Sequence, residues 1–387
     1  MAWTAVRYAL FALALAPLAY YLIAILAARR FFRVPKTVSA SLEFTPPVSI
    51  LKPIYGLDRE TYENYASFCV QDYPDYEILF CVSDEQDPAT PVIRKLIEDF
   101  PNRAIRLLVG SDPLGVSDKV NKLCRMTREA TKGIVIVSDS DVRVDLGYLR
   151  AVAAPFQHPK VGAVTCLYRG LTDGSLAADL EAVGNSTDFA AGVLVAWLFS
   201  DVNFMLGATM AVRKSSLAEI GGFESLVDYF SDDYELGNRI AAKGDRVELI
   251  PHSVAIVYPH QTFQDAFRHQ LRWNLSIRFS RPSGHLGLIF TQGLPLCILA
   301  AILAPSAISA FAILVAYIVL RVASAWVIGV KGMKDANLRG KMELLVLRDA
   351  FAFVVWLVSF FPQRIFWRGK QFQVRDKRLV AIAEKLP

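Results

Sequence analysis

At 387 residues the chain has room for two soluble domains, or for one domain with membrane segments. Its 53% hydrophobic content and mean hydropathy of +0.33 exceed what a water-soluble domain carries, while 20% charged residues are too many for a purely membrane-embedded bundle. A net charge of +5, with no Lys/Arg stripe interleaved with aromatics, points to anionic lipid headgroups and away from nucleic acid.

Residues 5–28 form a nearly unbroken apolar run, long enough to cross a hydrocarbon core of about 30 Å. A secretory signal peptide is the alternative. The run exceeds the length of an ordinary signal h-region, however, and Arg29, Arg30, Arg33 and Lys36 follow it where a small-residue cleavage site would stand. Those cations place the N-terminus outside and the chain after Arg29 in the cytoplasm. From Pro47 to about His260, short apolar runs alternate with amphipathic stretches. Strands are expected at 48–51, 77–82, 106–109, 134–137 and 162–166, and helices at 58–68, 90–100 and 119–130. Strands joined by helices of this length imply right-handed crossovers and an α/β fold with a mostly parallel sheet. Two further apolar runs, 286–303 and 308–330, are separated by Pro305 and read as an antiparallel helical hairpin. The loop 331–341 is cationic and so cytoplasmic. The run 344–361 contains Arg348 and Asp349, charges that in lipid face protein or a water-filled cavity. The tail 363–378 is again basic and aromatic, so 344–361, flanked by cytoplasmic segments, reads as re-entrant or interfacial. Five cysteines, none in a Cys-x-x-Cys pair, argue against a disulfide framework and a zinc site, and fit a reducing compartment.

Three acidic sites and one basic-aromatic site carry the chemistry. Asp84 directly follows the strand at 77–82; ligands of open α/β sheets sit at such strand ends, although an Asp there also caps a following helix. Ser138-Asp139-Ser140-Asp141 follows the strand at 134–137. Asp139 and Asp141 place two hard oxygen donors together, which suits Mg²⁺ or Mn²⁺ completed by phosphate oxygens and water. Asp232 and Asp233 precede a helix expected at 234–242. They either cap it and complement its dipole, or one of them acts as general base on a hydroxyl. His269-Gln270-Leu271-Arg272-Trp273 lies just before the membrane hairpin. Arg272 and Trp273 are either an interfacial anchor or a diphosphate contact with a stacking surface.

Taken together in this order, the motifs resemble the ceramide glucosyltransferase family and the lipid-directed members of glycosyltransferase family 2. The resemblance rests on Lys52-Pro53 with Gly56, Asp72-Tyr73-Pro74, Asp84, Asp139, Asp233, Arg272-Trp273 and Trp367-Arg368-Gly369-Lys370, and covers most of the chain. It implies a GT-A nucleotide-sugar fold and an inverting glycosyltransferase that moves a sugar from a UDP-sugar, with UDP-glucose foremost, to a lipid hydroxyl. Asp84 would contact the uridine, Asp139 and Asp141 would hold a divalent metal (Mg or Mn), Asp233 would be the base, and Arg272 and Trp273 would close over the diphosphate and acceptor. His269 stands where the family motif usually begins with Gln or Arg, so it receives no role. Some members carry a small residue at the position of Asp141, which makes Asp139 the firmer ligand. The expected organisation is an N-terminal transmembrane anchor (1–35), a cytoplasmic GT-A catalytic domain (45–285), C-terminal membrane segments (286–362) and a basic cytoplasmic tail (363–387). The partners are the UDP-sugar, a membrane lipid acceptor and the bilayer, without nucleic acid; no residue pattern specifies an oligomeric state.

Two other readings compete. A hopanoid acceptor, with UDP-N-acetylglucosamine as donor, would need the same membrane-level site. The related hopanoid glycosyltransferases are similar to this chain, including at Val164-Thr165-Cys166-Leu167-Tyr168-Arg169-Gly170. The other is a non-catalytic membrane scaffold or small transporter; transport is opposed by the few apolar segments and the lack of an inverted pair of broken helices.

Overall fold

The strands expected from the apolar runs form one sheet. In the computed structural model, which describes residues 2–33, 44–361, 365–367 and 370–381, the chain divides into two units. Unit 1 comprises Met1–Val34, Thr172–Ser200 and His260–Gln363; unit 2 comprises Pro35–Leu171, Asp201–Pro259 and Arg364–Pro387.

Unit 2 is built on an eight-stranded sheet. Its strands are β1 (Val48–Pro53), β2 (Tyr76–Val82), β3 (Ala104–Val109), β4 (Ile134–Val137), β5 (Val142–Arg143), β6 (Val161–Leu171), β7 (Met210–Arg213) and β8 (Arg246–Val257), in the order β3-β2-β1-β4-β7-β6-β8-β5. β1, β2 and β4 are buried along their whole length, which is why they read as mostly apolar runs, interrupted by Ser49 and Lys52 in β1 and Glu77 in β2. β3 closes one edge and is only partly covered. The first four strands are mutually parallel, in register Val48↔Tyr76 and Val48↔Ile134, so β1, β2 and β4 end on the same side of the sheet. Helices Thr61–Cys69, Thr90–Asp99 and Asp118–Glu129 make the crossovers, each within a few residues of the expected span. β7 runs antiparallel between β4 and β6, and the segment 164–170 lies within β6. The described part of the tail forms a separate antiparallel sheet, β9 (Ile365–Trp367), β10 (Lys370–Arg375) and β11 (Arg378–Ala381), with β10 in the middle. The motif residues Arg368 and Gly369 lie outside the described residues.

Unit 1 is helical. Among the described residues, three helices are long and apolar enough to cross a membrane: Phe11–Arg33, Leu176–Phe199 and Ala307–Gly332. A fourth crossing is formed if Pro282–Thr291 and Gly293–Ile302 count as one span; they are bent by 51°. Pro295, in the first turn of the second piece, has no N–H to bond back across the break, which is the physical cause of the bend. The expected continuous helix at 286–303 is therefore two. The helix Leu345–Val358 has 14 residues, about 21 Å of rise, short of a crossing. That length suits the re-entrant or interfacial reading.

Within the stretch 45–285 expected as one domain, the helix Leu176–Phe199 and the residues from His260 onward group with unit 1. The helix is studded with Asp179, Glu181 and Asp188, which hide its apolar character in the sequence. Each carboxylate is met inside unit 1. Asp179 pairs with Lys341, Glu181 accepts from Gln270 Nε2 at 2.9 Å, and Asp188 pairs with Arg321 at 2.5 Å and Arg348 at 2.7 Å. Arg321 also grips Asp349 through Nε at 2.9 Å and Nη2 at 2.7 Å, while Tyr317 donates to Asp349 at 2.7 Å. Burial of charge in an apolar unit demands this degree of pairing.

Candidate active site

The site of unit 2 lies at the common end of β1, β2 and β4. Lys52, near the end of β1, is fully buried and donates through Nζ to the backbone carbonyl of Asp139 at 2.8 Å. Its ammonium also lies 3.9 Å from the centre of the Phe68 ring. Burial pulls the Lys52 amine down to about 7, against the opposing fields of Asp141, Asp139 and Asp58. Asp141 shows the converse. Burial first, then Asp139 and Asp58, push its carboxyl up to about 7, with Lys52 opposing.

Lys119 joins the strand end to the acid pair. It sits in the first turn of the helix Asp118–Glu129, with Nζ 2.8 Å from Asp139 Oδ1 and 3.5 Å from Asp232 Oδ2. Burial alone would depress its amine, but Asp139 and Asp232 override this and hold it well above the ordinary lysine range. Asp232 and Asp233 open the helix Asp232–Ala242, where the dipole favours carboxylates. Asp233 is pushed up to about 6 by burial and by Asp232, with Lys119 opposing. Three charged groups converge on Gly207: a Cβ built there would lie 3.4 Å from Asp139 Oδ2, 3.5 Å from Asp233 Oδ2 and 4.0 Å from Lys119 Nζ. The structure thus brings Asp139 and Asp233 together around Lys119, while Asp141 stands in the fields of Asp139, Asp58 and Lys52. Among the described residues, no group of three or more His, Cys, Asp or Glu side chains is placed to hold a metal ion.

Asp84 is exposed after the end of β2. Its Oδ1 accepts the Gln86 N–H at 2.8 Å, the capping alternative in the form of a turn, and its other oxygen is not used in that bond. Three residues on, Asp87 accepts from Gly56 N–H at 3.0 Å and from Ala89 N–H at 2.9 Å, tying the loop after β1 to the loop after β2. Gly56 adopts a φ of +69°, which only glycine takes without strain, so the Lys52-Pro53…Gly56 pattern is the turn that carries this tie.

In unit 1, Arg272 and Trp273 lie on the helix Phe263–Ser280, opened by a capping box between Thr262 and Asp265. The Trp273 ring packs 4.5 Å from that of His269, and His269 Nδ1 lies 3.0 Å from the buried Glu181 carboxylate. Gln270 bridges Glu181 and Arg348, donating to the first and accepting from the second at 3.1 Å. The residues preceding Arg272-Trp273 are thus anchored from both sides.

The family model for glycosyl transferase family 21 matches residues 9–380. The chain belongs to that family. Ceramide glucosyltransferase 1 of Caenorhabditis elegans is 31% identical over 230 residues, 59% of this chain and 49% of that protein. Ceramide glucosyltransferase 3 of the same organism is 30% identical over 213 residues, 54% of this chain and 45% of that protein. The chain thus spans about half the length of the curated relatives it matches. Among solved structures, the mannosyltransferase PcManGT from Pyrobaculum calidifontis, in complex with GDP-Man and Mn²⁺, aligns with a TM-score of 0.55 at 19% identity, covering 92% of this chain and 99% of that chain. The family resemblance, the glycosyltransferase class and the GT-A fold read from the sequence are all borne out.

For this family 21 member the sequence reading passed over Lys119 and gave Lys52 no task. A signal for Lys119 was present: a cation in a helix's first turn opposes the dipole, so it implies a carboxylate partner from elsewhere. Which carboxylate it meets depends on the β4 and Asp232 segments coming together, nearly a hundred residues apart, and no local pattern encodes that.

Proposed function

We propose that the chain transfers a sugar from a UDP-sugar, with UDP-glucose foremost, to a hydroxyl of a membrane lipid, with ceramide the leading acceptor. The observation that carries this reading is the convergence of Asp139, Asp233 and Lys119 on Gly207 in a family 21 chain whose matched relatives are ceramide glucosyltransferases. Asp84, exposed beyond β2, is assigned to the uridine. Asp233 is the base: burial and its acidic neighbour raise its proton affinity toward the range in which a carboxylate both stays ionised at neutral pH and accepts a proton readily. It takes the hydroxyl proton as the acceptor oxygen attacks the anomeric carbon from the face opposite the diphosphate, so a single displacement inverts that centre. Asp232, paired with Lys119, holds the local charge. Arg272 and Trp273 are assigned to the diphosphate and the acceptor.

The donor set fits a divalent cation of the Mg²⁺ or Mn²⁺ type. Such ions use one or two protein carboxylates and complete their shell with phosphate oxygens and water. Lys119 occupies Asp139 Oδ1, leaving Oδ2 on the Gly207 side, and a bound cation would offset both the burial of Asp141 and the fields of Asp139 and Asp58 that raise it. Asp139 and Asp141 would hold it. Bound there, the cation would neutralise the diphosphate as it leaves. The cations after the first apolar run support a cytoplasmic placement of unit 2.

The test is incubation of the purified full-length protein, in bilayer discs, with UDP-glucose, UDP-galactose or UDP-N-acetylglucosamine and with ceramide, hopanoid or diacylglycerol acceptors, read by mass spectrometry. Glucosylceramide as the main product is expected. A hopanoid product alone would move the acceptor, and no glycolipid from any pair would overturn the reading.

A further inference from the structure

The C-terminal strands meet the segment that leads into the acid pair. The hairpin β10–β11 turns on Asp376 and Lys377, which have φ of 49° and 65°; Arg375 and Arg378 close the pair on either side. Two-residue hairpin loops of this geometry favour Asn-Gly, since both central residues lie in the left-handed region. A lysine at the second position is strained backbone, and strain of this kind persists where something else holds the residue in place.

What holds it is the 228–235 segment. Phe230 N–H donates to the Lys377 carbonyl at 3.0 Å, and Leu379 N–H donates to the Asp228 carbonyl at 2.7 Å. Lys377 Nζ lies 3.2 Å from Glu235 Oε1 and 5.8 Å from the centre of the Tyr234 ring. The Arg378 guanidinium lies 5.3 Å from the centre of the Tyr229 ring. Glu235 is 9% exposed at its side chain and stands two residues after Asp233 on the same helix. On its far side the segment is tied to the start of the Lys119 helix: Val116 N–H donates to Asp228 Oδ1 at 3.1 Å, and Ser117 N–H, at that helix's N-cap, to the Val227 carbonyl at 2.8 Å. The hairpin, the Asp232 helix and the Lys119 helix therefore share one braced loop.

We propose that the C-terminal hairpin is a clamp on the acid pair, and that Lys377 is a positioning residue which fixes the first turn of the Asp232 helix through Glu235. The proposal rests on the reading of Asp233 as base. Remove the ammonium, and among the described residues the buried Glu235 keeps Arg239, at 3.5 Å, as its cation; reverse its charge, and Glu235 is pushed away from the hairpin.

The test uses full-length protein carrying Lys377→Glu, Lys377→Gly or Lys377→Arg, with Asp233→Asn as the reference for the base. Two readouts are taken: kcat and KM for UDP-glucose with a short-chain ceramide, and hydrogen exchange at the amides of residues 232–235. Lys377→Glu should lower kcat roughly tenfold at unchanged KM for the donor, and speed exchange at 232–235. Lys377→Arg should restore both. Lys377→Gly relieves the strained turn while removing the amine, so it should leave exchange in β10 and β11 unchanged and still lower kcat. Wild-type kcat and wild-type exchange in Lys377→Glu and Lys377→Gly, with Asp233→Asn inactive, would overturn the clamp and leave the base standing. If Asp233→Asn were active, the base assignment would fall, and exchange alone would decide: unchanged exchange in Lys377→Glu overturns the clamp.

Discussion

Gly237→Ala places one methyl group between the helix Asp232–Ala242, which carries the proposed base, and a closely packed backbone. A Cβ at Gly237 would stand 2.5 Å from the Phe204 carbonyl carbon, 2.7 Å from the Met205 nitrogen and 2.7 Å from the Phe204 Cα. Carbon contacts settle near 3.5–4.0 Å, so the helix must move by about 1 Å. The opposing backbone is pinned: Leu206 N–H donates to Thr165 Oγ1 at 3.0 Å, and Met205 is 2% exposed. Alanine is the better helix former by about 1 kcal/mol, whereas overpacking a closed contact costs about 1–3 kcal/mol. A net loss of about 1 kcal/mol of stability follows. The effect on rate is larger, because Asp233 lies one turn away on the same helix, and a misplacement of about 1 Å can cost on the order of 10²-fold. Asp84 and the β1, β2 and β4 ends do not move, so KM for UDP-glucose should stay near wild type. Steady-state kinetics and a thermal melt on the full-length protein check this. A variant with wild-type kcat and an equal or higher melting temperature would show that the helix is not pressed against Phe204–Met205.

Further expectations follow from the same geometry. Asp233→Asn keeps shape but cannot take a proton, so kcat should fall about 10²-fold or more with donor binding retained, while Asp232→Asn costs much less; the reverse ranking would reassign the base. Because Asp233 is raised to about 6 and must be ionised to act, kcat should be held above that pH and lost below it. A flat profile down to pH 5 would remove the assignment. With Asp139 and Asp141 as ligands, chelation should abolish transfer and Mg²⁺ or Mn²⁺ restore it; full activity in excess EDTA would refute the metal. In unit 1, Asp349→Asn leaves Arg321, 3% exposed, with only part of its counter-charge. Breaking such a pair costs about 3–5 kcal/mol, less here because Asp188 remains, so a clear fall in the thermal melt in detergent is expected. An unchanged melt would show that the network does not hold the helices together.

The sheet was legible where burial is two-sided. β1, β2 and β4 are mostly apolar because both faces are covered, and the helices between them keep a helical period. The Asp139 and Asp233 motifs stood out because strand ends and helix starts are where carboxylates have a local reason to gather. The helix Leu176–Phe199 was not legible as long and apolar enough to cross a membrane, since Asp179, Glu181 and Asp188 find their partners on segments more than eighty residues away. The tail read as a basic surface segment, and its described residues form β9–β11 instead, because a cation that pairs with Glu235 looks in sequence like one that faces a headgroup. Lys119 escaped notice for the same reason. Long-range charge pairing leaves no periodic trace.

The central claim, an inverting transfer to a lipid hydroxyl at the Asp139–Asp233 site, is tested most directly by the configuration of the product. UDP-glucose carries its sugar in the α-configuration. Purified full-length protein in bilayer discs would be supplied with UDP-glucose and ceramide, and the anomeric proton of the extracted glycolipid recorded by NMR. A β-linked glucoside is expected, absent when Asp233→Asn replaces the wild type. An α-linked product, or the same β-product formed at an undiminished rate by Asp233→Asn, would contradict the claim.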